Sequence, residues 1–210
     1  MKSAKTILIS LFIILSAGLN AQVFLGGNVN MALSGGKNEN DSRKTSEFDF
    51  GLSPKIGTFL SDKVAIGIEF NFGVSTSNNN HEIETITRTV NSGVSPFLRY
   101  YAFTTGKFSV YGQANAGVAF SKSDTKFGGD IVTEGKHSMV GISFFPGLSY
   151  DISERISLET SINFLNVHYN MTTSTDENNN KETASSFGFG AGLDGIVNTG
   201  NIRIGAIFKF

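Results

Sequence analysis

From Gln22 onward the apolar residues of this chain recur at every second position, a repeat that suits extended strands and not amphipathic helices. Residues 64–74 show it most cleanly. Val64, Ile66, Ile68, Phe70, Phe72 and Val74 share one face, and Ala65, Gly67, Glu69, Asn71 and Gly73 share the other. Residues 48–60 set Phe48, Phe50, Leu52, Ile56 and Leu60 against Asp49, Gly51, Ser53, Lys55 and Gly57. Residues 108–120 set Phe108, Val110, Ala114, Ala116, Val118 and Phe120 against Ser109, Tyr111, Gln113 and Asn115. Residues 156–164 set Ile156, Leu158, Ile162 and Phe164 against Ser157, Glu159, Ser161 and Asn163. The pattern predicts eight strands, at about 23–34, 47–60, 64–76, 87–103, 107–121, 137–150, 155–171 and 186–210.

The breaks between these strands alternate in length. Ser61-Asp62-Lys63, Thr104-Thr105-Gly106 and Asp151-Ile152-Ser153-Glu154 are tight. Residues 35–46, 77–86, 122–136 and 172–184 are long and polar. Short turns at one end and long loops at the other predict an all-β fold, an eight-stranded antiparallel up-and-down transmembrane β-barrel with one end on each side of a membrane. Most of the strands exceed the ~9–11 residues that a tilted strand needs to cross a bilayer. An even count places both chain ends beside the short turns, the periplasmic side of an outer-membrane barrel.

Face chemistry favours a membrane barrel over a soluble one. A soluble barrel or sandwich buries its apolar face and turns a face rich in Lys, Glu, Asp and Arg to water. Here the polar face is mostly Gly, Ala, Ser, Asn and Gln, and charged residues make up only 17% of the chain, below the usual quarter. Small residues suit the crowded interior of a narrow barrel, and an unbroken Phe, Ile, Leu and Val face suits lipid. Tyr100, Tyr101, Phe103, Phe108 and Tyr150 gather towards the short-turn end, and Phe48, Phe72, Phe120 and Tyr169 towards the other, as two interfacial girdles would. A soluble periplasmic barrel is the fold-level alternative.

The first 21 residues read as a cleaved signal peptide, followed by the barrel domain at 22–210. Lys2 and Lys5 form a charged start, Ile7 to Leu19 an apolar stretch too short to span a bilayer, and Asn20-Ala21 a cleavage point. The chain has no Cys, which excludes disulfides, thiolate metal sites and lipid-modified cysteine. A formal net charge of −1 leaves no basic footprint for nucleic acid.

Two irregularities interrupt the pattern. Phe187, Phe189, Ala191 and Leu193 are apolar at odd positions, whereas Ile202, Ile204, Ala206, Phe208 and Phe210 are apolar at even ones. A bulge or short excursion within 194–201 would restore the register and keep the count at eight. Pro54, Pro96 and Pro146 all fall in strands descending to a tight turn, where each removes a ladder hydrogen bond and predicts a bulge or frayed pairing. They also mark a weak repeat of about one hairpin: Gly51-Leu52-Ser53-Pro54 returns as Gly93-Val94-Ser95-Pro96 and more loosely as Phe145-Pro146-Gly147-Leu148.

The run from Gly51-Leu52-Ser53-Pro54-Lys55-Ile56-Gly57 to Asp62-Lys63-Val64-Ala65-Ile66-Gly67 resembles the PorT-like outer-membrane β-barrel domain family, as does Ile202-Arg203-Ile204-Gly205-Ala206-Ile207-Phe208-Lys209-Phe210. The architecture is similar to that of OmpA-type and OmpX-type eight-stranded barrels. The resemblance covers about all of residues 22–210 and implies location in the cell outer membrane. It also implies that Phe210 belongs to the signal read by the outer-membrane assembly machinery.

Lys55, Glu69, Arg99, Glu159 and Arg203, with Lys209 beside them, fall on the inward face. In a barrel this narrow they are expected to pair, as Lys55–Glu69–Arg99 and Glu159–Arg203, into a plug that fills the lumen. The functional alternative is a narrow polar conduit. His81, His137 and His168 form no metal-binding spacing and read as solvated loop residues. A rim hydrolase would need one of them beside a group such as Asp124, Asp130 or Ser138. No catalytic, cofactor or metal site is predicted. The Asn-rich long loops, with Asn78-Asn79-Asn80 and Asn178-Asn179-Asn180, offer a surface for an extracellular ligand whose identity the sequence does not specify. The function read from the sequence is a non-enzymatic outer-membrane barrel with a packed polar lumen, embedded in outer-membrane lipid, in a structural, adhesive or assembly role. A small-solute channel and a loop-rim enzyme are the alternatives.

Overall fold

The computed structural model describes residues 22–37, 44–80, 84–127, 130–175, 181–191 and 202–210. They form ten strands: β1 (Val23–Lys37), β2 (Lys44–Ser61), β3 (Val64–Asn80), β4 (Glu84–Thr105), β5 (Phe108–Phe127), β6 (Asp130–Asp151), β7 (Ile156–Ile162), β8 (Leu165–Thr175), β9 (Lys181–Ala191) and β10 (Ile202–Lys209). From β1 to β6 each strand pairs antiparallel with the next. Then β6 pairs with β7, β7 with β10, and β10 with β1. These eight strands close a ring, the up-and-down antiparallel barrel expected from the period-two pattern. The seventh predicted strand is divided into β7 and β8, and the eighth into β9 and β10. β8 continues along β6, and β9 pairs with β8. Among the described residues, β1 beyond Val29 and the second edge of β9 carry no ladder towards one another.

The apolar face points out of the ring. Leu25, Leu52, Phe72, Leu98, Val118, Ile142, Leu158 and Ile204 are all exposed, as a lipid-facing belt must be. The tight turns form one or two residues later than their reading at 61–63, 104–106 and 151–154: Ser61, Thr104, Thr105 and Asp151 are still strand, and the chain turns at 62–63, 106–107 and 152–155. At Gly106 the backbone takes φ 56°, a left-handed conformation that glycine adopts without the Cβ clash.

The long polar breaks are largely strand rather than loop. Asn78, Asn79 and Asn80 pair with Ser46, Thr45 and Lys44 on one side and with Ile86, Thr85 and Glu84 on the other. Likewise β5 runs on to Phe127 and β6 starts at Asp130. Strands of up to 22 residues reach roughly 70 Å at about 3.3 Å per residue, well past an apolar band about 25 Å tall even when tilted. Beyond the lipid neither face needs to be apolar, so the alternation fades while the ladder continues. Asn178-Asn179-Asn180 lies outside the described residues, as do residues 1–21 and 194–201.

Each proline interrupts one ladder. Ser53 and Pro54 have no partner on β3, and Ser95 and Pro96 none on β5, with the register unchanged across both gaps. These are frayed pairings. Pro146 lies where β6 changes partner from β8 to β7. There β6 advances from Phe144 to Gly147 while its partner retreats from Leu165 to Ser161, one residue more. The extra residue is a bulge at Asn163–Phe164. It turns the inward set from Ser157, Glu159 and Ser161 to Asn166, His168 and Asn170.

Candidate functional site

The lumen is layered. Nearest the short turns, Phe24, Ala65, Phe97, Tyr101, Tyr111 and Ile207 form a buried cluster with Phe59 packed against it. Ring centroids lie 5.2 Å apart for Phe24–Phe59, 5.8 Å for Phe59–Tyr101 and 5.8 Å for Tyr101–Tyr111. Glycines opposite make the room. A Cβ on Gly57 would lie 2.5 Å from Phe24 Cζ, and one on Gly67 would lie 2.5 Å from Phe97 Cζ. Tyr101 therefore belongs to this floor and not to an interfacial girdle, because its parity is that of Phe97 and Arg99. Aromatic residues on the polar parity were the available signal for the floor.

Above the floor lies a charged layer. Lys55, Glu69, Arg99, Glu159 and Arg203 are 3%, 1%, 1%, 3% and 9% exposed. Lys55 Nζ donates to Glu159 Oε2 at 2.5 Å. Arg99 Nη1 donates to Glu159 Oε1, and its Nη2 to Oε2 at 3.2 Å. The same guanidinium donates to Gln113 Oε1 at 3.0 and 2.7 Å and to Tyr101 Oη at 3.1 Å, and it lies 4.1 Å from the Tyr111 ring centroid. Arg203 Nη2 donates to Glu69 Oε1 at 2.6 Å, and Arg203 sits 4.8 Å over Phe145. At the rim Lys209 Nζ donates to Asp151 at 2.9 Å.

The expected pairs Lys55–Glu69–Arg99 and Glu159–Arg203 are not those that form. Lys55 and Glu69 are ladder neighbours, but Lys55 reaches across the lumen to β7, as does Arg99, while Arg203 reaches β3. Every one of these ion pairs joins strands three places apart around the ring. Lys and Arg stems are long enough to cross a narrow lumen, and those of Lys55 and Arg99 converge on Glu159.

Beyond the charges the lumen opens into a cavity of about 450 Å³ with a mixed polar and apolar lining. Glu69, Arg203 and Phe145 lie at its base, and Asn71, Asn91, Asn163 and His168 are among its walls. Ser53 Oγ donates to Asn71 Oδ1 at 3.0 Å, and Asn71 Nδ2 to Ser95 Oγ at 3.3 Å.

Two of the histidines face inward from strands, half-buried, which corrects their reading as solvated loop residues. His137 contacts Ser123 Oγ at 3.1 Å and Thr172 Oγ1 at 2.9 Å. His168 Nδ1 lies 2.9 Å from Asn166 Oδ1. Ser123–His137–Thr172 has the contacts of a nucleophile, a base and an orienting group. Its Thr carries no charge to stabilise an imidazolium, and the neighbouring backbone is engaged in ladders on both sides of β6 rather than free to bind an oxyanion. Ser138 points to the face opposite His137, as adjacent strand residues must. His81 lies outside the described residues. Among the described residues no group of three or more His, Asp and Glu is placed to hold a metal ion. Phe210 is exposed at the closing edge, its N–H donating to Val23 O at 2.9 Å and its ring 4.9 Å from that of Phe208.

A ring of eight strands with an apolar exterior and a layered polar interior is the architecture of a membrane-embedded barrel. The family model for the outer membrane protein beta-barrel domain matches residues 6–194, and the chain belongs to that family. Its PorT-like subdivision does not follow from this match. No curated protein matches the chain. Among solved structures it is similar to a major outer membrane protein from Thermus thermophilus, at 13% identity and a TM-score of 0.49, over 91% of this chain and 100% of the other. It is also similar to Neisserial surface protein A, at 13% identity and a TM-score of 0.38, over 90% of this chain and 97% of the other. At these values the overlap is loose, and membership rests on the family match.

Proposed function

We propose that this outer-membrane barrel is a non-enzymatic integral protein with a closed lumen, serving a structural, adhesive or assembly role at the cell surface. The observation that supports this most is the buried charged layer seated on an aromatic floor. Five ionised side chains and five aromatic rings fill the cross-section towards the short turns, so the outer cavity ends blind. A solute path would need those ion pairs to part, and separating buried pairs is costly. Phe210 at the closing edge supports recognition by the outer-membrane assembly machinery. Lys2, Lys5 and the apolar stretch after them support export by a cleaved signal peptide.

The test is cell fractionation combined with gel migration before and after heating. The full chain is expected in the outer-membrane fraction, processed near residue 21 by N-terminal sequencing, with a folded band that shifts on heating. A soluble product without that shift refutes the membrane role. Turnover of lipid or peptide substrates that is lost on His137→Ala would replace the non-enzymatic reading with a hydrolase at the rim.

A further inference from the structure

On the outward face of β5 and β6 two neighbouring rungs of the ladder carry like charges. Towards the strand ends the facing pairs run Val118–Val140, Phe120–Ser138, Lys122–Lys136 and Asp124–Glu134. Val118, Phe120 and Val140 are 41%, 60% and 52% exposed and belong to the lipid-facing belt. Apolar wall thus gives way to a rung of cations, and the cations to a rung of carboxylates. Like charges directly opposite each other destabilise a strand pair. The side chains relieve this only along and across the rungs: Lys122 Nζ lies 3.3 Å from Asp124 Oδ1 and 3.8 Å from Glu134 Oε2. The side chains of Lys122, Asp124 and Glu134 stay 52%, 36% and 49% exposed, and exposed pairs of this kind contribute little to stability. A ligand can exchange for them at small cost. Arg88, exposed on β4 opposite Asp124, adds a third cation beside Lys122.

The order of the charges selects the ligand. An occupant of this wall lays apolar chains on Val118, Phe120 and Val140, a negative group at the lysine rung and a positive group one rung further out. Successive outward residues of a strand are about 7 Å apart, and the two-carbon arm of a phosphoethanolamine headgroup covers that interval once flexible Lys and Glu side chains lean towards it. A phosphate headgroup without a cation leaves the carboxylates facing its own negative charge. A choline headgroup has no N–H to donate to them. We infer that the outward face of β5 and β6 binds a membrane lipid with a phosphoethanolamine headgroup, its phosphate held by Lys122 and Lys136 and its ammonium by Glu134, with Asp124 and Arg88 flanking. The inference rests on the barrel lying in a membrane and goes beyond the role proposed above.

The full chain is placed in nanodiscs of equal phosphatidylethanolamine, phosphatidylcholine and phosphatidylglycerol, and native mass spectrometry counts the lipids that stay bound on release. The expected result is one phosphatidylethanolamine per barrel, in about tenfold preference over either competitor, as a hydrogen bond to a charged group provides. Lys136→Gln is expected to lower retention of all three phospholipids. Glu134→Gln is expected to abolish the preference while phosphate binding persists. Lys44→Gln, on β2 three strands away around the ring, is expected to change neither. Free phosphoethanolamine in equal amount is expected to leave the lipid in place, since it has no chains to lay on Phe120 and Val140. The inference is overturned if phosphatidylcholine or phosphatidylglycerol is retained as well as phosphatidylethanolamine, or if free phosphoethanolamine displaces the lipid. It is equally overturned if Lys136→Gln or Glu134→Gln changes nothing, or if Lys44→Gln lowers retention as much as they do. The cluster then forms surface ion pairs only. A barrel that keeps its heat-shifted band but shows no lipid preference sinks this inference alone, whereas a chain that never enters the nanodisc sinks the membrane role.

Discussion

Glu159 is the hinge of the charged layer, and substituting it should cost far more than substituting its partner Lys55. Glu159 takes donors from both Lys55 and Arg99. Glu159→Gln keeps the shape but leaves Lys55, Arg99 and Arg203 facing Glu69 alone. Lys55→Met instead leaves two cations and two carboxylates, a balanced set. Stranding a buried charge costs about 3–5 kcal/mol, and two unit charges 4 Å apart at an effective dielectric of 20 interact by about 4 kcal/mol. Lys55→Met should cost under about 1 kcal/mol, because an apolar stem replaces a buried surplus charge. With a urea slope of about 2 kcal/mol per molar, the midpoint should fall by about 2 M for Glu159→Gln. For Lys55→Met it should move by less than about 0.5 M. The assay is urea unfolding of the full chain in phospholipid vesicles, followed by the heat-shifted gel band. The chain has no Trp, so tyrosine emission supplies the second probe. The double variant should recover part of the loss. Equal midpoint shifts for the two single variants would refute the reasoning.

The interior and exterior faces give further outcomes. Gly67→Ala would press a Cβ to 2.5 Å from Phe97 Cζ and against Ile56 O, so a loss of about 1–3 kcal/mol is expected. Phe97→Leu should relieve only part of it, since the backbone oxygen stays, and the urea midpoint reads both. Leu98→Arg on the lipid face should cost about 2–4 kcal/mol if the position lies near the bilayer midplane; an unchanged midpoint in vesicles would mean that Leu98 does not face lipid. In planar bilayers the unsubstituted protein should show no stable conductance of porin size. Replacing Arg99, Glu159 and Tyr111 together with small residues should raise it, and a large steady pore in the parent would rule out a closed lumen.

Much of the barrel was legible because lipid and lumen impose opposite chemistry on adjacent residues. Val64 to Val74 alternate for that reason, and the alternation alone names their faces. The same logic was open at Asn163–Phe164, where apolar residues change from even positions (Ile156, Leu158, Ile162) to odd ones (Leu165, Val167, Tyr169). It was also open at Phe97, Tyr101 and Tyr111, which share parity with charged or amide residues. The ends of the strands were not legible. Past the lipid, Thr85, Thr87 and Asn79 carry no two-faced signal, although the ladder holds them. Nor were the partners in the charged layer. Parity tells that Lys55 and Arg99 point inward, but which carboxylate each reaches depends on the stagger of strands across the lumen, and no local pattern encodes that stagger.

The ion pairs that span the lumen also set an order in time. Lys55 and Glu159 are 104 residues apart, Arg99 and Glu159 are 60, and Glu69 and Arg203 are 134. Neither bond to Glu159 can form until β7 has joined the growing sheet, and Arg203 reaches Glu69 only with β10. A chain halted after its first five strands would hold Lys55 and Arg99 over water, and the interior is neutralised in full only when β10 shuts the ring.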